Sequence, residues 1–243
     1  MTEPASSLGL HAGESMAFEV RLAGVLAGEA QLAVGEIGQI DGRKAIVVRS
    51  RAATAGAAAL LKKISDESTT VIDVDTGRPI TLDAVIENNG KRLTASTKFL
   101  RDSATVTYQR SGDAAPKSMA IQFVKFGALT VFDAHTAMAQ LRGWKAHQGA
   151  RRSVYVIGGR RLWRVDVTYR GEETIGSALG NRRAIVFEGS AYRSRPDAKL
   201  ESSKPGRTFT VWLSDDADRV PLKVAATTEL GEIVMDLTDY QRP

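Results

Sequence analysis

Met16-Ala17-Phe18-Glu19-Val20-Arg21-Leu22 sets Met16, Phe18, Val20 and Leu22 on one side of an extended chain and Ala17, Glu19 and Arg21 on the other. A break at Ala23-Gly24 follows, and Gly28-Glu29-Ala30-Gln31-Leu32-Ala33-Val34 repeats the pattern. A two-residue period bounded by Gly and Asp is the mark of a half-buried antiparallel strand. Working outward, Asp41-Gly42 turns the chain into Lys44-Ala45-Ile46-Val47-Val48-Arg49-Ser50. Ser68–Asp75 and Ile80–Glu87 are separated by Thr76-Gly77-Arg78-Pro79, and Asn88-Asn89-Gly90 forms a hairpin turn into Arg92–Leu100. Asn and Gly tolerate the positive φ that such turns demand. Ala104–Gln109, Ala120–Val124, Ser153–Ile157, Leu162–Tyr169, Arg183–Tyr192, Thr208–Leu213, Pro221–Thr228 and Glu232–Thr238 extend the meander. A sheet of so many strands has to curl or close. The expected fold is therefore mainly β: a curved antiparallel sheet forming an incomplete barrel, with one or two short helices.

Two segments break the period. Ala52–Lys63 is alanine-rich and ends in Leu60-Leu61-Lys62-Lys63. Asp133–Arg142 starts on a good N-cap residue and spaces Ala134, Ala137, Met138 and Leu141 as a helix does. The second helix is expected to cover or plug one face of the sheet. Pro196–Pro205 is the best loop, polar and flanked by prolines. No linker divides the chain, so residues 1–12 are taken as a flexible leader and 13–240 as one β-rich domain. A chain of 243 residues is long enough to bury a core without disulfides or metal.

Composition narrows the chemistry. Cysteine is absent, which removes disulfides, thiolate metal sites and cysteine nucleophiles together. No apolar run is long enough for a membrane-spanning helix. Met1–Ser7 lacks the charged start and apolar stretch of an export signal. The net charge of +5 is uneven: residues 141–210 hold 15 Lys and Arg against 6 Asp and Glu, a net of +9, and the remainder is net −4. Such asymmetry points to an anionic partner near the basic segment, against the plainer reading of solubilising charge on strand edges.

No catalytic centre emerges. His11, His135 and His147 share no metal-ligand spacing and are expected as surface or cap residues. No nucleophile elbow, phosphate loop or dinucleotide fingerprint is present. Asp215, Asp216 and Asp218 form the densest carboxylate group, able in principle to hold calcium or to serve a hydrolase. Between two alternating runs they read instead as a hairpin turn in which Asp bonds its own backbone. No metal and no cofactor is expected. Trp144, Trp163 and Trp212 are expected to fill a core or line a cavity. Trp163 lies between Arg161 and Arg164. At 6% aromatic residues the chain is poor in the stacking platforms that single-stranded nucleic acid requires.

Phe209-Thr210-Val211-Trp212-Leu213-Ser214-Asp215-Asp216-Ala217-Asp218-Arg219-Val220-Pro221-Leu222-Lys223-Val224, with Gly231-Glu232-Ile233 after it, resembles the bacterial family known as domain of unknown function 3108. Gly13-Glu14-Ser15, Ala27-Gly28-Glu29-Ala30, Asp73–Pro79 and the Asp133–Arg142 segment agree with that family's pattern. The resemblance implies an exported protein of a Gram-negative bacterium, similar in shape to outer-membrane lipoprotein carriers, with a curved sheet around an apolar cavity. The chain departs from it in lacking an export signal and a lipidation cysteine, so a periplasmic or outer-membrane-associated location assumes that a signal was removed. The leading expectation is a non-enzymatic protein holding a lipid or other anionic amphiphile in the concavity. Met138, Leu141, Arg142, Trp144, Arg151, Arg152, Arg160, Arg161 and Trp163 are the candidate ligand-binding residues, with the 133–142 helix as a movable lid and the arginines around the entrance. The alternative is an interaction module that docks an envelope protein or anionic polysaccharide on a basic face. No nucleic-acid partner and no transmembrane span is expected.

Overall fold

Strands that bury one face must pair along both edges or end at a free one, and among the described residues sixteen of them join one sheet. The computed structural model describes residues 8–203, 205–229 and 231–242. The first half is a meander: β1 (Ser15–Leu22), β2 (Val25–Val34), β3 (Gly38–Ile40), β4 (Arg43–Thr54), β5 (Ile64–Asp73), β6 (Arg78–Asn88), β7 (Lys91–Phe99), β8 (Ser103–Arg110) and β9 (Lys117–Gln122), with α1 (Gly56–Leu61) between β4 and β5. A 3-10 turn at Phe123–Phe126 leads to β10 (Val131–Asp133), α2 (Ala134–Arg142) and β11 (Arg151–Gly158). A second meander follows: β12 (Arg161–Ser177), β13 (Gly180–Ser194), β14 (Arg207–Ser214), β15 (Pro221–Thr228) and β16 (Gly231–Gln241). The sheet runs from β10 at one edge through β16, β1 and β2 to β9 at the other, and β3 pairs with β4 off this path. It is curved and does not close.

The register carries the sequence pattern into three dimensions. Asn89 and Gly90 have φ of 48° and 78°, the pair of positive angles that a tight hairpin twisted like its strands requires. Bulges fall between Ala17 and Phe18 in β1 and between Tyr169 and Gly171 in β12. Each adds local twist and helps the sheet to coil. β10 and β11 pair in parallel, joined through α2. That crossover is the departure from an otherwise antiparallel meander. It exists because parallel neighbours need a long connection, here supplied by a helix.

The interior is filled in sectors. Leu82, Phe99, Ala104, Val106 and Ile121 of β6–β9 meet Val131, Tyr155, Ile157 and Leu162 of β10–β12. Met16, Phe18, Leu222 and Leu237 pack around the junction of β1 and β16. Tyr169, Ile185, Phe187, Val211 and Leu213 of β12–β14 receive Trp144, Met138 and Leu141. The expected leader falls partly on residues 1–7, outside the described residues. Residues 8–12 lie against the fold: Leu8, Leu10 and Ala12 pack on Val34, Ile46, Val48 and Ile72. The Gly9 amide donates to Ala139 O at 3.1 Å. A Cβ on Gly9 would meet Arg142 Cβ at 2.5 Å, so only glycine fits this close to the helix.

Candidate ligand cavity

α2 lies in the concavity of the sheet, and its sequence explains how it is held. Asp133 is the N-cap and is fully buried. Its carboxylate accepts from the amides of His135 and Thr136, from the Thr136 hydroxyl, and from Thr70 Oγ1 on β5 at 2.8 Å. Thr70 has one hydroxyl proton, and a carboxylate can only accept, so Thr70 in turn accepts from His135 Nδ1 at 2.8 Å. That leaves His135 Nε2 to accept from Ser50 Oγ of β4 at 2.8 Å. Burial pushes the His135 imidazole below its ordinary value, against the opposing pull of Asp133. A neutral ring suits this tautomer. His135, expected at the surface or as a cap, is instead the buried link between the helix start and two strands.

The other end is clamped as firmly. Arg142 donates to Glu14 Oε1 at 2.6 Å and Oε2 at 2.8 Å, and both side chains are buried. Its remaining donors reach Arg219 O and Asp218 O. Gln140 Nε2 donates to Gly77 O at 3.0 Å. The expected lid is thus tied at both ends, through Asp133 and His135 to Thr70 of β5 and Ser50 of β4, and through Arg142 to Glu14 and to the turn carrying Asp218 and Arg219.

Beside this helix lies a cavity of about 610 Å³. One wall is the helix, with Ala134, Ala137, Met138 and Leu141. The facing wall is the concave sheet: Val154 of β11, Val165 and Val167 of β12, Phe209 and Val211 of β14, and Val224 of β15. Phe132, Trp144, Arg152 and Arg78 also line it, together with the polar side chains of Thr76, Thr130, Gln140 and Ser153. Trp144 stacks on Phe187 at 5.5 Å, and Arg152 lies over the same indole at 4.6 Å. Gly189 has a specific task here. A Cβ on it would meet the Phe209 ring at 2.2 Å, so glycine lets that ring lie against the sheet. A second cavity of about 360 Å³ lies on the far side of the helix, lined among others by Phe18, Leu82, Ile157, Ser50 and Asp66. Ala134, Met138 and Val224 line both, so they form the partition between them. Burial raises the Asp66 carboxyl above its ordinary value, and a hydrogen bond from Ser68 works in the other direction.

Of the nine sequence candidates, Met138, Leu141, Trp144 and Arg152 line the larger cavity. Trp163 and Arg161 continue the line of Val167 and Val165 along the same face of β12. Arg142 is at the helix end, committed to Glu14. Arg151 is exposed, one residue out of phase with Arg152. Arg160 lies over Tyr108 at 5.7 Å, away from the cavity. Sequence reasoning missed Val154, Val165, Val167, Phe209, Val211 and Val224, although the period-two pattern already put each pair on one face. It also missed Arg78 and Phe132, for which there was no local signal.

Outside the cavity, the Asp215–Arg219 segment is a turn. Asp216 Oδ1 accepts from Ser214 Oγ at 2.7 Å and from the amides of Asp218 and Arg219 at 3.0 and 3.1 Å. Trp212 faces away from its buried neighbours Val211 and Leu213. It is half-buried on the convex side, donating to Glu173 at 2.5 Å with Lys223 at 5.8 Å. Its alternation takes it off the face of Val211 and Leu213, yet it packs, partly buried, against the cluster of Met16, Phe18 and Leu222, so the expected core contact is kept in part.

Among solved structures, a beta-barrel-like protein of domain of unknown function DUF1849 from Brucella abortus aligns with a TM-score of 0.60 at 9% identity, covering 96% of this chain and 98% of that one. At that identity the likeness is one of fold. The hypothetical lipoprotein YmcC from Escherichia coli aligns over 96% of this chain and 89% of its own at 12% identity, with a TM-score of 0.30. No functionally curated protein matches the sequence. The model of the family described as protein of unknown function DUF3108 matches residues 17–238, and the chain belongs to that family.

Proposed function

We propose that this protein is a cell-envelope binding protein, periplasmic or associated with the outer membrane, that holds a lipid or acyl chain between α2 and the concave sheet without making or breaking a bond. The observation that carries the reading is the 610 Å³ cavity with its wall of Val, Leu, Met and Phe side chains. That volume falls in the range of small-ligand sites, about 300–1,000 Å³. The branched and aromatic part of that wall suits a flexible chain better than a sugar, and Thr76, Arg78, Thr130, Gln140, Arg152 and Ser153 supply its polar positions. Met138, unbranched and adaptable, is the partition side chain most able to adjust to ligands of different length. The envelope location follows the export expected of the family.

Native mass spectrometry and lipid extraction of the purified protein test the reading directly. A co-purifying acyl compound, and saturable binding of a neutral fluorescent acyl ester, are the expected results. Met138→Trp puts an indole into the partition and should abolish that binding. Binding unchanged in Met138→Trp would remove the cavity from the reading. A complete absence of acyl binding would favour the alternative, an interaction module that docks a protein or anionic polysaccharide through a basic face.

A further inference from the structure

The concave face does not end with the apolar cavity wall. In β12, Val167 and Val165 line the cavity, and Trp163 and then Arg161 follow at two-residue steps. In β14, Val211 and Phe209 line it, and Arg207 comes next. Between them on β13, Arg193 pairs directly with Trp163, and Ala191 bridges Val165 to Arg207. The register is unbroken through these positions, so the side chains share one face. At about 3.4 Å per residue, Trp163 stands about 7 Å beyond the last valine and Arg161 about 7 Å further.

The arginines are gathered, not scattered. Arg207 Cζ lies 5.1 Å and Arg193 Cζ 5.8 Å from the Trp163 ring centre. Arg193 is only 19% exposed. The acid that meets the group is Glu201, 3.5 Å from Arg193. Arg161 feels the crowding: burial, and then the like charges of Arg193, Arg160 and Arg207, lower its pKa, with Glu201 opposing. Holding guanidinium groups together against repulsion disfavours the empty site and favours one filled by an anion. The indole fixes two of them in place, so little rotamer freedom remains to be lost on binding.

We propose that Arg161, Arg193 and Arg207, arranged on Trp163, bind the phosphate of an amphiphile whose acyl chain lies in the cavity along the same strands. The proposal rests on the cavity reading above and adds the class of ligand: an acyl lipid with a phosphate-bearing head group. Phosphate matches the planar donor fork of arginine and can accept from more than one at once.

The test uses the full chain and three compounds: a lysophosphatidylglycerol, the monoacylglycerol of the same chain, and glycerol 3-phosphate. Each is titrated against a neutral fluorescent acyl ester bound in the cavity, and glycerol 3-phosphate also by calorimetry. The phosphate lipid should bind at least tenfold more tightly than its neutral counterpart, with the gap narrowing at high salt. Arg193→Gln with Arg207→Gln should erase the gap and leave the monoacylglycerol unchanged, which also shows that the variant is folded. Equal binding of the two lipids by the unaltered protein, or a gap that survives the double substitution, overturns the head-group site. Glycerol 3-phosphate binding as tightly as the phosphate lipid would assign the arginines to a soluble phosphate and overturn the lipid assignment. Failure of both acyl compounds to displace the probe would refute the cavity reading, and this proposal with it.

Discussion

Arg142→Met offers the sharpest test of how α2 is held. Arg142 is 3% exposed and Glu14 is fully buried, and two bonds of 2.6 and 2.8 Å join them. The methionine fills much of the space but leaves the Glu14 carboxylate with the His11 amide at 3.2 Å and the Tyr240 hydroxyl at 3.4 Å. It also strips Arg219 O and Asp218 O of their donors. Removing one partner of a buried ion pair costs about 3–5 kcal/mol, because the other charge stays buried and unpaired. Glu14→Leu with Arg142→Met removes both charges and should recover a large part of that loss. The assay is equilibrium urea unfolding of the unaltered protein, both single variants and the double, read as a double-mutant cycle. A loss below about 1 kcal/mol in Arg142→Met, or a double variant no better than the worse single, would refute the claim that the pair anchors the helix.

Burial disfavours charge on His135, so the unfolded chain binds a proton there more readily than the folded one. Stability should therefore hold above the ordinary histidine value of 6.5 and decline as pH falls below it, by at most about 1.4 kcal/mol per unit; His135→Gln should remove that part of the pH dependence in urea titrations. Phe187→Ala, fully buried in the Trp144 cluster, should cost about 3–5 kcal/mol, whereas Trp212→Ala on the convex face should cost less than about 2; equal losses would contradict their opposite placement. Asp216→Ala should cost about 1 kcal/mol through its turn bonds, and micromolar calcium should leave the melting temperature unchanged. Gly189→Ala should destabilise by forcing the Phe209 ring off the sheet and should weaken probe binding in the cavity.

The strands were legible because alternation is local: Met16 to Leu22 declares its buried face without help from any other segment. α2 was legible because Asp133 and the spacing of Ala134, Ala137, Met138 and Leu141 lie within nine residues of one another. The site was readable only in part. Nothing near His135 announces Thr70 or Ser50, which are 65 and 85 positions away. Nothing near Arg142 announces Glu14, 128 positions away, so one half of a buried ion pair read as a ligand-binding arginine at the cavity entrance. Charge counting located the basic segment but could not sort its arginines by face. The strand register does that sorting, which turns Arg193 and Arg207 from background into neighbours of Trp163.

β1 and β16 pair from Ser15↔Gln241 to Leu22↔Ile233, so the earliest and latest strands meet in the middle of the sheet. Thr238 Oγ1 donates to Ala17 O across 221 positions of chain. Closing a loop of that length costs about 2 kcal/mol more than closing one of about 20 residues. Each meander is built from neighbours in sequence and can grow by adding one hairpin at a time, but the junction cannot form until both are present. The connectivity thus predicts an order of assembly, in which local hairpins form first and the spine that binds the two leaves comes last, to be checked by pulse-labelling hydrogen exchange of the β1 and β16 amides. Until that spine closes, the edges of β1 and β16 are open to pairing with another molecule, which makes this junction the vulnerable stage for aggregation during folding.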